Sequence, residues 1–128
     1  MANQVTNIGG MLSAITGTIA YTDSSAVTIA TLPANSQIVD VNIDVTTAFD
    51  AGTTNTIAVG KTGSAAAFVA ATGVSSAGRA SVASTGVYSA WADSGSSDVS
   101  VTATFAQTGT AATAGAARVT IVYKSYAV

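Results

Sequence analysis

Hydrophobic and polar residues alternate along several short segments, most clearly from Gln37 to Phe49. The aliphatic residues at one parity of this segment are Val39, Val41, Ile43 and Val45. Strict period-two alternation indicates a strand with one face in the core and the other in solvent. The pattern therefore predicts that these aliphatic residues point inward. It also predicts that Asp40, Asn42 and Asp44 form a row on the outer face, spaced about 7 Å apart.

Weaker alternation and β-branched runs predict further strands, separated by turn residues. The predicted strands are 15–21, 27–32, 37–49, 54–59, 87–91, 98–105 and 117–126, while 65–71 is either a strand or a short helix. Segments 74–84 and 107–115 are predicted loops, and Pro33 ends the second strand because proline cannot donate to a ladder. About eight short strands predict an all-β fold, a single antiparallel sandwich of jelly-roll type.

The domain organisation follows from the same pattern. Residues 1–14 show no strand alternation and no charged side chain, so we expect an extended N-terminal arm. Residues 15–128 form one β-sandwich domain in this interpretation, because no linker divides them. Alanine, with 27 residues, supplies much of the 48% hydrophobic fraction, so the core is thin. Small domains with thin cores often gain stability by association with neighbours.

Composition excludes several classes of chemistry. The chain has no cysteine and no histidine, so zinc, haem and iron–sulfur sites lose their usual ligands. Ser–His–Asp and Cys–His catalysis are excluded, because the chain has no histidine to act as the general base. The carboxylate pairs Asp40/Asp44 and Asp93/Asp98 have no neighbouring apolar segment that would raise one pKa for acid–base work. We therefore expect no catalytic residue, no cofactor and no metal, and hence no enzyme.

The charge pattern argues against nucleic-acid and membrane partners. Charged residues make up 8% of the chain, against about 25% in an average globular protein. The four cations, Lys61, Arg79, Arg118 and Lys124, leave a net charge of −2, which is no footprint for a polyanion. No segment approaches the roughly 20 apolar residues of a spanning helix.

Two segments match functional motifs only in part. Gly60-Lys61-Thr62 follows a strand as the end of a phosphate-binding loop would, but the earlier glycine of that motif is replaced by Asn55. We interpret it as a solvated hairpin turn. The segment Asp40 to Asp44 resembles the start of a calcium loop, yet Val45 stands where that loop needs glycine. We interpret it as a polar strand face or a subunit contact.

Aromatic residues suggest one further surface. Tyr88 and Trp91 lie on one short predicted strand. They are either core or interface residues, or a platform on which a sugar stacks. We keep both residues as candidate interface positions.

The segment IVDVNIDVTTAFDAGTTNTIAVG, residues 38–60, carries a resemblance to a known family. A long alternating strand, the pattern TTAF-x-x-GTTNT and a short strand ending in glycine are similar to small head-gene proteins of tailed bacteriophages. The segment Ser76-Ala77-Gly78-Arg79 resembles a loop of the same proteins. Together these segments cover about half of the chain.

The resemblance implies a jelly-roll-like capsid decoration (cement) protein on the outer surface of the virion. Its partners would be the major capsid protein and further copies of itself, as a trimer rather than a dimer. It also implies Arg79 as an ion-pair partner between subunits. Asp40 and Asp44 are candidate interface residues from the alternation of their strand, which places them on its outer face. Two alternatives stay open: a receptor- or glycan-binding module of a fibre or surface layer, and the main shell protein of a small capsid.

Overall fold

The structure, a computed structural model, describes residues 12–80 and 94–125, and the regular elements in these ranges are β-strands joined by turns and loops. The strands are β1 (Leu12–Ala20), β2 (Val27–Leu32), β3 (Ser36–Thr47), β4 (Thr54–Lys61), β5 (Ser64–Gly73), β6 (Gly78–Ala80), β7 (Val99–Thr108) and β8 (Ala116–Ser125). The predicted all-β sandwich of about eight strands is confirmed. Within the described ranges, no helix has the length and apolar character to cross a membrane.

The strands form two four-stranded antiparallel sheets. Sheet A has the order β1-β8-β3-β6, and sheet B has the order β2-β7-β4-β5. The pairs β4–β5, β3–β6, β2–β7 and β1–β8 correspond to one long hairpin that has been rolled up. This order is that of a jelly roll. The tip of the rolled hairpin is the turn at Thr62 and Gly63, where Gly63 has a φ of +84°.

The core lies between the inner faces of the two sheets. Its fully buried members include Ile19, Leu32, Val41, Ile43, Val45, Phe49, Ile57, Val59, Val101, Val119 and Ile121. Most of them alternate with exposed or half-buried polar residues along their strands, as the sequence pattern predicts. Pro33 directly follows β2, which ends at Leu32 as expected.

The prediction that Val39 points into the core is wrong. Val39 is 43% exposed, whereas its neighbour Ile38 is only 5% exposed. The reason is a β-bulge in β3: Ile38 pairs with Tyr123 and Asp40 pairs with Val122, so Val39 is an extra residue. A bulge re-aims side chains and shifts the alternation by one position. Val39 therefore faces solvent, while Val41 and the later aliphatic residues of β3 point inward.

Several element boundaries also differ from the expectation. The ambiguous segment 65–71 lies in strand β5. The predicted loop 74–84 contains the short strand β6, which the sequence pattern missed because three small or charged residues carry no alternation. Strand β1 starts at Leu12, so residues 12–14 of the predicted arm pair with β8. Residues 1–11 and the predicted strand 87–91 lie outside the described residues.

Gly60 permits the tip of the hairpin to fold over sheet B. Val59 pairs with Val69, and Lys61 pairs with Ser64. Between these two pairs the chain advances by two residues in β4 but by five residues in β5. The additional residues bring the β5 backbone directly across Gly60. A Cβ atom at this position would overlap the backbone atoms of Ser64 and Ala65. Glycine is required here by this close approach of two backbones.

We expect Gly60→Ala to lower the free energy of unfolding by about 3 kcal/mol, because the overlapping atoms are backbone and cannot move aside cheaply. Urea denaturation measures the change. Gly73→Ala is the matched control in β5, since a Cβ there meets nothing within 4 Å. It should change stability by less than about 0.5 kcal/mol. Equal effects of the two substitutions would contradict the close approach.

Candidate interaction surfaces

The outer face of sheet A carries most of the charged side chains of the described strands. We call it the charged face and define it by Asp40, Asn42, Asp44, Arg79, Arg118, Thr120, Val122 and Lys124 together with the β1 residues 12, 14, 16 and 18. Residues paired across antiparallel strands share one side of the sheet. Asp44 pairs with Arg118 on β8 and with Arg79 on β6, so the three lie in one row across sheet A.

Two ion pairs connect the strands of the charged face. Arg118 Nη2 lies 2.9 Å from Asp44 Oδ2, and Arg79 Nη2 lies 3.4 Å from Asp40 Oδ2. Arg79 therefore reaches past its register partner Asp44 to the more distant carboxylate. The Asp40 carboxylate is oriented by its own strand, because its Oδ1 accepts the backbone N–H of Val41 at 2.9 Å.

These ion pairs orient side chains more than they stabilise the fold. The Arg79 and Asp40 side chains are 61% and 47% exposed. Exposed pairs contribute about 0–1 kcal/mol, since water screens the attraction and both side chains lose entropy. Their consequence is that both signs of charge lie side by side on the outer face of sheet A.

The structure thus brings together three of the five candidate interface residues, Arg79, Asp40 and Asp44. The other two, Tyr88 and Trp91, lie outside the described residues. Arg118 belongs to the same cluster but is not among the candidates. The alternation places it outward on the last strand, but only the register of β8 against β3 places it beside Asp44.

The outer face of sheet B has a different chemistry. We call it the threonine face and define it by its exposed and half-buried members, Thr28, Thr31, Thr54, Thr56, Ala58, Ser100, Thr104, Ala106 and Thr108; Thr102, next to Gly60 on the same side, is buried. None of these side chains is charged. Thr54 and Thr108 hydrogen bond to each other across the strands at 2.6 Å. The Thr104 hydroxyl is buried and has no hydrogen-bond partner in the structure.

The motif candidates are explained by structural roles. Lys61 and Ser64 pair at the hairpin turn, and strand β5 follows instead of the helix that a phosphate-binding loop needs. Asp98 accepts the backbone N–H of Ala34 at 3.1 Å, and its proposed partner Asp93 lies outside the described residues. Within residues 12–80 and 94–125, no group of three or more metal-ligating side chains comes together.

A shallow cleft lies at the hairpin end of the sandwich. Its volume is about 280 Å³, and it is lined by Lys61, Thr62, Asp98, Val99 and Ser100. Ligand pockets that enclose small molecules are usually about 300–1,000 Å³ and mostly apolar. This cleft is open and polar, so it does not resemble an enclosed substrate pocket.

Phe49, in the TTAF-x-x-GTTNT segment, closes the opposite end of the sandwich. It is 1% exposed, and its ring centroid lies 4.6 Å from that of Phe105. Gly115 passes directly over this ring, and a Cβ there would overlap it. Gly115 also has a φ of +148°, which glycine adopts without strain.

Asp50 and Asn55 of the same segment tie three loops together. The Asp50 carboxylate accepts the N–H groups of Thr113 and Ala114 at 2.7 and 2.9 Å, and the Thr113 hydroxyl at 2.7 Å. The Asn55 side chain bonds to the Ala51 backbone and to Ser75 Oγ. The residues that carry the phage resemblance therefore hold the fold together at this end.

Comparison with solved structures gives two similar folds. One is a chain of the cyanophage Pam1 capsid asymmetric unit, with a TM-score of 0.70 and 21% identity over 98% of this chain and 93% of that chain. The other is a chain of the capsid of Ralstonia phage GP4, with a TM-score of 0.61 and 19% identity over 100% and 93%. No family model and no curated protein matches. At these identities the likeness establishes a shared fold, and at that level the resemblance to phage head proteins is confirmed.

The hydrogen bonds to Asp50 predict a dependence of stability on pH. The Thr113 hydroxyl, followed by the two backbone N–H groups, holds the pKa of Asp50 below its ordinary value of 3.8. A carboxyl group with a lowered folded-state pKa stabilises the fold above its unfolded-state pKa. We expect this contribution to be complete above about pH 5 and to disappear as the pH falls through 3.8 toward the lower folded value.

Asp50→Asn should remove this part of the pH dependence, and Thr113→Val should reduce it by removing the strongest donor. The measurement is the melting temperature between pH 2 and 6, together with an NMR titration of the Asp50 carboxyl carbon. The wild type should lose more stability on acidification than Asp50→Asn. Identical acid profiles for the two proteins would contradict the assignment.

Proposed function

We propose that this chain is a non-enzymatic virion protein that decorates the outer surface of a phage capsid and stabilises contacts between capsomers. The supporting observation is the likeness of nearly the whole fold to chains of two phage capsid structures. The partner in this proposal is the major capsid protein, and the location is the outside of the shell. The small-residue composition and the motif segment agree with it.

The charge pattern favours an accessory protein over a shell protein. The sequence has four cations, and they form no basic segment that could contact packaged nucleic acid. Both matched chains are close to this one in length, since at least 93% of each is covered. We therefore propose binding to a shell rather than a place within its wall.

The threonine face has the properties of an attachment surface. Its side chains are short, so they lose little conformational entropy when they pack against a partner. It carries no charge, so its burial has no cost of ion desolvation. Most of this surface belongs to β4 and β7, which are the two inner strands of sheet B. Many identical copies on one shell would make individually weak contacts collectively strong.

The test of the proposed function is binding to shells. Particles that contain this chain should hold it at a copy number set by the capsid lattice. Shells stripped of it should stay intact but break at a lower temperature, and adding the purified protein back should restore their resistance. Absence from the particles, or unchanged resistance after stripping, would contradict the proposal.

A charge on the threonine face should weaken attachment. Ala106 is exposed on β7, and Ala106→Asp would place an unpaired carboxylate in an uncharged contact. We expect at least a tenfold weaker binding to stripped shells, which corresponds to about 1.4 kcal/mol. Thr18→Asp adds the same charge on the charged face and should bind as the wild type does. Co-sedimentation with shells measures both, and the reverse order would assign attachment to sheet A.

A further inference from the structure

Sheet A ends at strand β1, and the free edge of this strand carries backbone N–H and C=O groups. Tyr21 N donates to Gly115 O at 3.1 Å, which continues the register of β1 with β8. Hydrogen-bonded and non-bonded pairs alternate along an antiparallel ladder, so the odd-numbered residues of β1 bond to β8. The even-numbered residues direct their backbone groups to the free edge. Ala20 agrees with this alternation, because its N–H and C=O bond to Asp23 instead of β8.

The open part of this edge runs from Leu12 to Thr16, and we call it the open edge. Beyond it, β2 approaches β1, and a Cβ atom at Gly17 would lie 3.3 Å from Ile29 Cα. Leu12, Ala14 and Thr16 are exposed, and their N–H and C=O groups have no hydrogen-bond partner among the described residues. Each of these residues therefore offers one donor and one acceptor to a further strand.

The other three sheet edges of the described fold differ from the open edge. Strand β2 has a register shift between Thr28 and Ala30, and β5 has two shifts against β4. Strand β6 is three residues long. Bulges and short strands are among the means by which proteins prevent another strand from pairing with a sheet edge. Strand β1 has neither, since its register with β8 is unbroken, and it contains no proline and no charged residue.

The side chains at the open edge fit an uncharged partner strand. Leu12 is 60% exposed on the outer side of sheet A. Ile15 is half-buried on the inner side, where it packs against the core. A charge placed opposite these residues would lose hydration without gaining a counter-charge. The matching segment is therefore extended, about as long as the open edge, and carries small or apolar side chains on both sides.

The open edge lies beside the threonine face. Strand β2 carries Thr28 and Thr31 of that face, is the edge strand of sheet B, and approaches β1 at Gly17. One partner can therefore contact both surfaces at the same corner of the sandwich. Because the threonine face is the proposed attachment surface, this continuity favours the shell protein as the source of the added strand.

We propose that the open edge accepts an uncharged, extended segment of the shell protein as an additional strand of sheet A. Hydrogen bonds to the backbone of Leu12, Ala14 and Thr16 supply the attraction, and the side chains of Leu12 and Ile15 pack against the added strand. This inference rests on the proposed function. It adds a second contact, which uses backbone groups and is separate from the packing of the threonine face.

Ala14→Pro tests this contact in binding to stripped shells. Proline removes the central N–H of the open edge and places its ring there, whereas the ladder with β8 does not use that N–H. We expect co-sedimentation to show at least tenfold weaker binding, with circular dichroism and melting temperature close to wild type. Ala14→Val is the matched control, because it enlarges the same side chain and keeps the N–H. It should bind as the wild type does.

The outcomes separate this contact from the proposed function. If Ala14→Pro binds as tightly as the wild type, strand addition is overturned while the proposed function stands. If the wild type itself does not bind stripped shells, the proposed function fails and the contact fails with it.

Amide hydrogen exchange, quenched and measured by NMR, gives a readout that needs no variant. In the dilute free protein the N–H groups of Leu12, Ala14 and Thr16 should exchange rapidly, and those of Ile15 and Gly17 slowly, because only the latter bond to β8. Binding to shells should slow exchange of the first group at least tenfold.

Three results of the exchange measurement would overturn the proposal. Unchanged exchange on shells would mean that no strand is added. Slow exchange already in the dilute free protein would assign the open edge to another segment of this chain. Slow exchange that appears only when the free protein is concentrated would assign it to a second copy.

Discussion

The register of β3 against β8 is the constraint on which the rest of sheet A depends. It places Ile43 opposite Val119 in the core and, one residue further, Asp44 opposite Arg118 on the surface. Because the side-chain period of a strand is two, one pairing sets both faces at once. A slip by one residue would expose the aliphatic side chains and bury the charges. The bulge at Val39 is a local slip of this kind, limited to one end of the strand.

The outer faces of the two sheets differ in charge, because most charged side chains of the strands lie on sheet A. Three of the four cations of the sequence, Arg79, Arg118 and Lys124, lie on the outer face of sheet A. On sheet B the outward positions hold Thr, Ser and Ala. The aspartates in loops bind backbone N–H groups instead. Asp23 accepts the N–H of Ala20, and Asp50 accepts the N–H of Thr113 in the loop before β8. A face with ordered charges favours a contact of fixed orientation, whereas a neutral face packs at low desolvation cost.

Because large side chains are scarce in this protein, parts of its interior are filled by backbone segments that approach each other closely. At Gly60 the β5 backbone crosses β4 directly, and at Gly115 the chain lies against the ring of Phe49. Such approaches bring the sheets and loops close enough for a thin core to fill the interior. In the segment that resembles phage head proteins, Asp50 and Asn55 hold loops in place by side-chain hydrogen bonds. That resemblance reports how the fold is held together at this end.

The sequence by itself determined the fold class, most strands and the polar row on β3, because period-two alternation depends only on which side chains prefer water. It also singled out Arg79, Asp40 and Asp44 as surface candidates. It did not determine β6, whose three residues show no alternation, or the exposure of Val39, which depends on a bulge. It did not identify Arg118 as the partner of Asp44 or place Lys124 next to Leu12. Those relations arise between strands that are distant in the chain, and only the tertiary structure decides the register in which they meet.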